Sequence, residues 1–320
     1  MNFVKPYIEI INEPDLFKRI ELAGRTCYKS HDKITDESAY PFFQRMVKSG
    51  HLSVVEHSNV IVRTYSALAA AQLLSCIMEY TEKTGRPSYI RFSPLFPGAE
   101  FVHVDCYGYT VGDDYIFSGN IRAWRDIISM FFGESILIGL FHDHPAFADI
   151  FETHNKICDF EFEDAEVIDS VDGIDKMFRV DIEDLHKIIT VKVVADRGLI
   201  DEFRTHRQHS FSVESTRYCD YDGECQYCYP FWYDSDDETE MYKAFEDACL
   251  DSEYHYKNIR SIPKGVPQVA RGALNLWVKS EAVITATVAS WKNFLALRSS
   301  PAAHPESQKI CKMIKEATGL

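Results

Sequence analysis

The sequence predicts an α+β fold in which an antiparallel sheet is flanked by long helices. Two stretches, residues 59–66 and 187–196, are rich in β-branched residues and have the pattern of strands. Several longer stretches carry apolar residues at helical spacing, and residues 67–85 are the clearest of them. We expect the 320-residue chain to form a single domain with an elaborating insertion at about residues 86–187.

Helices and one strand are predicted over the first 85 residues. Apolar residues at helical spacing predict a helix within residues 13–29. Residues 39–50 are predicted to form a helix that ends at a glycine, a common C-terminal stop. The strand at residues 59–66 then leads into the helix at residues 67–85, which also ends at a glycine.

The stretch from about residue 86 to 187 mixes turns, aromatic residues and acidic clusters. One helix is predicted in it, at residues 120–133. It carries no motif that points to chemistry. It is read either as an elaborating insertion or as a small subdomain.

After the strand at residues 187–196, a helix is predicted over residues 197–207. Arg204 and Arg207 would lie beside its apolar face. Because an unpaired buried charge is unfavourable by several kcal/mol, we expect these two arginines to need an anionic partner. An extended segment should follow, with alternate side chains on opposite sides.

The last third of the chain is predicted to be mostly helical from Pro267 onward. Arg298 stands where an apolar stripe at 4-3-4 spacing calls for another apolar residue, and Asn293 faces the opposite side among small and apolar residues. A helix that is apolar on both faces is typical of a buried helix, so Arg298 and Asn293 should both need partners. The stripe consists of Ile284, Val288, Trp291 and Leu295.

Composition excludes several classes of protein. No apolar run reaches the length of a membrane helix, and no signal pattern opens the chain, so a cytoplasmic protein with no membrane partner is expected. The net charge of -15 argues against non-specific nucleic-acid binding. Nine scattered cysteines favour reduced thiols over a disulfide framework.

The stretch "THRQHSFSVESTRY", residues 205–218, is the strongest candidate for a functional site. Arginines and hydroxyl groups are dense in it although the chain as a whole is acidic. Such a set of donors suits a phosphate or a polar heterocycle. A plain surface loop is the alternative.

Three blocks resemble the flavin-dependent thymidylate synthases, the ThyX family. "GHLSVVEH" (residues 50–57) is similar to the family's G-H-x-S/T-x-x-E-H, and "THRQHSFSVES" is similar to its R-H-R-x7-S signature. "SWKNFLALRSSPAAHPE" (residues 290–306) is similar to its closing N-F-L-x-L-R segment. "RTCYKS" (residues 25–30) also resembles the family, and Arg271 stands at the expected distance before Arg298.

The chain departs from the family pattern at several positions. Thr205 replaces the first signature arginine, although Arg204 precedes it, and Thr287 and Ala289 replace an asparagine and an arginine. The carboxylate before the serine is shifted to Glu214. The region between the first two blocks is also about a hundred residues longer than in compact members.

The resemblance implies synthesis of dTMP from dUMP. Methylenetetrahydrofolate would supply the carbon and FAD reduced by NADPH the hydride, without a cysteine nucleophile. A homotetramer with sites shared between subunits is implied as well. Carried over by position, Arg298 would be catalytic and would engage the uracil. The residues implied to bind dUMP are Glu202, Arg204, Thr205, Glu214, Ser215, Thr216, Arg217, Arg271 and Arg298. Those implied to bind FAD are His51, Ser53, Thr205, His206, Arg207, Glu214, Thr287 and Asn293.

Other functions stay open. Modification of another pyrimidine nucleotide keeps the fold, and a catalytically silent nucleotide-binding protein is a rival from a different class. In that reading Arg298 would be only a helix-terminal cation. No metal is expected, because "CQYC" (residues 225–228) is a lone pair of cysteines and zinc needs four ligands. Buried or loop thiols are the preferred interpretation.

Overall fold

The structure, a computed structural model, describes residues 1–95, 114–154, 163–168, 182–233 and 240–320. The predicted insertion at about residues 86–187 lies outside the described residues in part. The chain divides into two compact units. The first unit comprises Met1–Val54, Ile189–Ala286 and Ser290–Leu320, and the second comprises Val55–Ile188 and Thr287–Ala289. That the whole chain forms one domain stays a prediction.

The first unit is built around a four-stranded sheet of order β2-β7-β10-β8. The pairs β2–β7 and β10–β8 are antiparallel, and a small parallel pair, β1–β9, lies apart from this sheet. The strands are β1 (Asn2–Val4), β2 (Tyr7–Ile10), β7 (Ile188–Asp196), β8 (Ser210–Val213), β9 (Gln226–Cys228) and β10 (Lys279–Thr287). The helices are α1 (Leu16–Tyr28), α2 (Ala39–Lys48), α8 (Arg197–Phe203), α9 (Glu240–Ser261), α10 (Pro267–Ala270), α11 (Val288–Arg298) and α12 (Pro305–Thr318).

The main core of the first unit lies on one face of this sheet. Alternate residues of β7 and β10 point toward α8, α11 and α12, because side chains along a strand alternate between faces. Fully buried aromatic residues such as Phe203, Trp291 and Phe294 fill the space between sheet and helices. The opposite face of the same strands carries charged residues, among them Lys192 and Glu281.

The second unit contains a four-stranded antiparallel sheet of order β4-β5-β3-β6. A buried histidine, His186, lies between the hydroxyl groups of Ser118 and Ser93 at 2.7 and 3.0 Å. The elements are β3 (Asn59–Thr64), α3 (Ala67–Thr84), β4 (Arg91–Pro94), β5 (Tyr115–Asn120), α4 (Ile121–Met130), α5 (Ser135–Phe141), α6 (Ala148–Thr153), β6 (Ala165–Ile168) and α7 (Ile182–His186).

The predicted α+β class is confirmed, and so are most of the individual elements. α1, α2, β3, α3, α4 and β7 all form within the predicted stretches. Gly50 and Gly85, the glycines at the ends of α2 and α3, have positive φ of 72° and 64°. Glycine adopts this left-handed conformation without steric cost, so both helices end where the sequence indicates.

The predicted helix from Pro267 to Arg298 is wrong over its central part. Lys279–Thr287 forms β10, and its β-branched residues pair with β8 in the sheet. The apolar stripe therefore begins on a strand, at Ile284, and continues onto α11. No proline or glycine separates the two elements, so the apolar spacing continues from β10 into α11 without a break.

Two further expectations about helices are wrong. α8 ends at Phe203, so Arg207 lies beyond it, and both Arg204 and Arg207 are exposed rather than beside a buried face. α11 is buried on one side only in the single chain, because Asn293 is exposed and Leu297 is 57% exposed. Within the described ranges, no helix is both long and apolar enough to cross a bilayer.

Candidate functional site

The ends of α8 and α11 bring the first group of predicted site residues together, and we call this group the Arg298 cluster. The two helices meet because Phe203 and Phe294 are fully buried and pack edge to face, with ring centroids 4.9 Å apart. Arg298 is the last residue of α11, and the chain turns at once after α8. The cluster consists of Arg298, Glu202, Thr205 and His206.

Arg298 is held by side chains more than ninety residues earlier in the chain. Its Nε donates to His206 Nε2 at 2.8 Å, and Nη1 lies 3.1 Å from a carboxylate oxygen of Glu202. Nη2 donates to Thr205 Oγ1 and to the Glu202 carbonyl, each at 2.8 Å. The expectation that Arg298 needs partners is met within the chain. Its guanidinium contacts residues at the end of α8 and just beyond it. Arg298 is therefore more than a cation that caps its own helix.

These contacts determine which nitrogen of His206 carries the proton. An arginine Nε always donates, so His206 Nε2 must accept and the proton of the neutral ring lies on Nδ1. Burial, and then the charge of Arg298, lower the pKa of His206 and favour this neutral form. Among the described residues, Nδ1 has no hydrogen-bond partner. It is therefore a donor available to a ligand.

A second group, the Ser215 cluster, begins just after the C-terminal end of β8. The chain turns at Ser215, whose carbonyl accepts from the amides of Tyr218 and Cys219 and whose hydroxyl accepts from the Arg217 amide at 3.3 Å. Arg217 Nε donates to Gln268 Oε1 at 3.2 Å, and Arg271 directly follows the short helix that carries Gln268. The cluster consists of Ser215, Arg217, Gln268 and Arg271.

Both arginines of the Ser215 cluster are exposed. Within the part of the chain that the structure describes, the Arg271 side chain has no hydrogen-bond or ion-pair partner, and the Arg217 guanidinium contacts only a neutral amide and the ring of Tyr218. Two guanidinium groups without a carboxylate partner in an acidic protein can bind an oxyanion.

Glu214 stands immediately before this turn, but its side chain is fully buried. One carboxylate oxygen lies 2.8 Å from Lys29 Nζ and accepts from the hydroxyl of Tyr221. The other lies 3.3 Å from Lys279 Nζ. The carboxylate that the sequence places near dUMP and FAD therefore faces the interior of the first unit.

The remaining predicted residues of the signature stretch are accessible. Arg204 pairs with Asp201 at 3.1 Å on the surface, and Thr216 is half-buried beside Ser215. Arg207 is exposed, and no hydrogen bond or ion pair engages it in the described ranges. These residues border the two clusters without forming part of their hydrogen-bond networks.

The other residues implied to bind FAD lie on separate segments of the chain. His51 and Ser53 are exposed after α2, and no hydrogen bond among the described residues joins them to either cluster. Asn293 is exposed on α11, whereas Thr287 is buried in the second unit. The structure therefore joins the residues around Arg298 by hydrogen bonds, and it shows no such link for His51, Ser53 or Asn293 among the described residues.

Several residues near the clusters have no predicted role. Lys29 and Tyr28 belong to "RTCYKS", and the Tyr28 ring lies 5.4 Å from that of Tyr218. Lys279 is buried at the start of β10, whose other residues are mostly buried as well, and a lysine in such a strand is the signal that could have revealed it. His209 is buried, and neither of its ring nitrogens has a hydrogen-bond partner.

The cysteines of "CQYC" are buried thiols, as predicted. Burial raises the pKa of Cys225 and of the upstream Cys219 to about 11, so neither is a thiolate near neutral pH. Cys228 is also buried, and burial raises its pKa. Among the described residues, no three histidine, cysteine or acidic side chains lie close enough together to bind a metal ion.

Comparison with known proteins finds a match for part of the chain. Residues 185–319 match the family model for thymidylate synthase complementing protein. This range contains both clusters, whereas the first sequence block, at residues 50–57, lies outside it. No curated protein matches the chain.

One similar solved structure is thymidylate synthase X from Helicobacter pylori with FAD and dUMP. It is 22% identical to this chain, with a TM-score of 0.31. The match covers 41% of this chain and 66% of that one, slightly under two thirds of its length.

Proposed function

We propose that this chain is a flavin-dependent thymidylate synthase, because its residues 185–319 match the family model for thymidylate synthase complementing protein. The reaction would be reductive methylation of dUMP to dTMP. Methylenetetrahydrofolate would donate the carbon, and NADPH would reduce the FAD. The observation that carries the proposal is that the matched range includes two arginine clusters placed at the two ends of one strand.

The Ser215 cluster suits the phosphate of dUMP. Arg217 and Arg271 are exposed and have no carboxylate partner among the described residues. Guanidinium groups bind phosphate oxygens in a planar, two-pronged geometry. The Ser215 hydroxyl and the adjacent Thr216 would add neutral donors to the same anion.

The Arg298 cluster suits the pyrimidine ring. Arg298 is held in place by three residues before any ligand binds, so its cationic group is preorganised. A fixed guanidinium beside the ring would stabilise negative charge that develops on the pyrimidine during the reaction. Glu202 and Thr205, which contact Arg298, would border the same ring, and Arg204 would lie at the edge of this site.

The residues present fit a flavin in part. The Nδ1–H of His206 and the exposed side chains of Arg207 and Asn293 are donors without partners within the described ranges. They would bind the polar edges or the pyrophosphate of FAD, and His51 and Ser53 would contact it from another segment. When bound, FAD would supply the hydride, and the protein would orient it.

A site shared between chains is part of the proposal. β8 spans four residues, roughly 13 Å at 3.3 Å per residue. The α8 residues that hold Arg298 precede this strand in the chain, and Ser215 and Arg217 follow it. This separation favours a site in which one chain provides Arg298 and another provides Arg217. The homotetramer implied by the sequence resemblance would supply such an arrangement.

Hybrid oligomers test this sharing. An Arg217→Ala variant and an Arg298→Ala variant should each be inactive, but their mixture should regain part of the activity after subunit exchange. The recovery is expected because some sites would then have both arginines intact. Exchange proved by mass spectrometry without any recovery of activity would argue that one chain provides both residues.

The flavin and the reaction are tested together. Purified protein incubated with FAD should acquire the flavin absorption bands, and cofactor released from it should be FAD. With methylenetetrahydrofolate and NADPH added, it should release tritium from 5-tritiated dUMP. Protein that binds no FAD, or that releases no tritium when loaded with FAD, would contradict the proposal.

Two alternatives have specific observations behind them. Modification of another pyrimidine nucleotide is compatible with Arg298, because a guanidinium can donate to the O2 atom of uracil or cytosine alike. A catalytically silent nucleotide-binding protein is compatible with the departures at Thr205, Thr287 and Ala289. Release of tritium from labelled dCMP but not dUMP would favour the first, and nucleotide binding without any release would favour the second.

A further inference from the structure

A continuous series of ion pairs crosses the main sheet of the first unit and ends directly before Ser215. Each member contacts the next, and acidic and basic residues alternate throughout. All strands of the sheet are involved, since β2, β7 and β10 carry members and the last acid follows β8. In order from β2, this ion-pair ladder consists of Glu9, Lys192, Glu281, Lys279, Glu214 and Lys29.

The ladder lies on the face of the sheet opposite the main core. Lys192 Nζ is 3.9 Å from a carboxylate oxygen of Glu9 and 2.9 Å from one of Glu281. Lys279 bridges Glu281 and Glu214. The final member, Lys29, caps α1 in a left-handed conformation with φ of 47°, an uncommon backbone geometry for lysine. The ladder therefore ties the end of α1 to the sheet.

Burial increases along the ladder toward Glu214. The side chain of Glu9 is 54% exposed, that of Lys279 is 6% exposed, and that of Glu214 is fully buried. Burial by itself would raise the pKa of Glu281, but Lys279 and Lys192 outweigh it and hold this pKa at about 2. Burial would likewise lower the pKa of Lys279, yet Glu214 and Glu281 raise it. Glu281 and Lys279 are thus both charged at neutral pH and compensate each other.

Glu214 is also fixed through its backbone. Its amide donates to the Glu281 carbonyl at 2.8 Å, and its carbonyl accepts from Arg197 Nη1 at 3.0 Å. The next amide, that of Ser215, donates to the Cys27 carbonyl at 3.0 Å. Ser215 then begins the turn that carries Arg217. The most constrained residue of this segment therefore directly precedes the proposed phosphate-binding turn.

We propose that Glu214 is a positioning residue, which holds the Ser215 turn in place through Lys29 and Lys279, and that it does not itself contact dUMP or FAD. The inference rests on the proposed function, because the turn is assigned there to the phosphate of dUMP. The Glu214 carboxylate is fully buried with a lysine beside each oxygen, so a ligand in solution cannot reach it. Its effect on the nucleotide is exerted through the position of Ser215 and Arg217.

The test compares two ligands that differ only in the phosphate, dUMP and deoxyuridine, on FAD-loaded protein. Glu214→Gln keeps the shape of the side chain and removes its charge. Lys29→Met removes the half-exposed cation at the end of the ladder, and Lys29→Arg restores a cation there. Glu9→Gln is the matched control, because Glu9 belongs to the same ladder at its exposed far end.

We expect Glu214→Gln and Lys29→Met to raise the KM for dUMP roughly 10- to 100-fold, with kcat unchanged, because a displaced turn weakens phosphate binding. Inhibition by deoxyuridine should not change. Lys29→Arg should recover most of the affinity, and Glu9→Gln should behave as wild type. Lys29→Met tests the inference even if Glu214→Gln fails to fold, since Lys29 is partly exposed.

Two results would overturn the inference alone: unchanged dUMP affinity in folded variants, or an equal loss of affinity for dUMP and deoxyuridine, which would indicate a general structural defect. Wild-type protein that binds no dUMP would overturn the proposed function and this inference with it. The wild-type measurement therefore separates the two failures.

Discussion

Replacing Arg298 with alanine should destabilise the ligand-free protein. The substitution removes the hydrogen bonds of the guanidinium to His206, Thr205 and the Glu202 carbonyl, together with its ion pair to the Glu202 carboxylate. The sequence alone, which presents Arg298 as an inward charge without a partner, would instead predict that its removal raises the melting temperature. The contacts in the structure reverse the sign of that expectation.

The size of the effect follows from the exposure of each partner. Glu202 is 43% exposed, so its ion pair contributes about 0–1 kcal/mol. The three hydrogen bonds contribute about 0.5–1.5 kcal/mol each, toward the lower end because Thr205 and His206 can be solvated once Arg298 is gone. The sum is about 2–3 kcal/mol, and a decrease of several degrees in the melting temperature should result.

The assay is thermal unfolding followed by circular dichroism, with and without dUMP. Lys312→Ala is the matched control, because Lys312 forms an exposed pair with Glu316 at 3.9 Å on α12 and should have little effect. dUMP should stabilise wild type, and this added stabilisation should shrink in Arg298→Ala. Arg298→Lys should recover little of it, since one ammonium cannot reproduce the planar fork. A melting temperature that is unchanged or raised in Arg298→Ala would refute the reasoning.

Two further predictions concern acid pH. Because the pKa of Glu281 is lowered to about 2 in the folded chain, its stabilising contribution, roughly 3 kcal/mol, should be lost as the pH falls from about 4.5 to 2. Urea unfolding should show a weaker pH dependence over this range in Glu281→Gln, and identical profiles would contradict the assignment. Burial lowers the pKa of His209 to about 3, so protonation of the unfolded chain should reduce stability by roughly 2 kcal/mol between pH 6.5 and 5. His209→Phe should lack this loss and should also remove two unpartnered nitrogens, and a variant as acid-sensitive as wild type would show the reasoning to be wrong.

Local sequence patterns predicted the elements that have clear boundaries. β7 is rich in β-branched residues and ends at Asp196, which caps the next helix, so its limits can be read from the residues. β10 was mistaken for helix because its apolar residues happen to continue the spacing of α11. The period of a short apolar run does not distinguish a buried strand from a buried helix. Here the segment is a strand, and its pairing with β8 in the sheet is the feature that a local pattern does not show.

The sequence indicated that Arg298 needs partners but did not identify them. Glu202, Thr205 and His206 lie 92–96 residues away, and such contacts depend on how α8 and α11 pack. The role of Glu214 was less predictable still. Read as part of an extended strand, its carboxylate would be a candidate ligand. Its burial depends on Lys29 and Lys279, which come from a helix end and a strand distant in sequence.

The measurement that tests the central claim most directly is analysis of the reaction product. FAD-loaded protein would be incubated with dUMP, NADPH and methylenetetrahydrofolate labelled with carbon-13 on the methylene group, and the nucleotides would be analysed by mass spectrometry. The account predicts dTMP that carries the label on its methyl group, and none from Arg298→Ala. Flavin-loaded, folded protein that forms no labelled dTMP would contradict it.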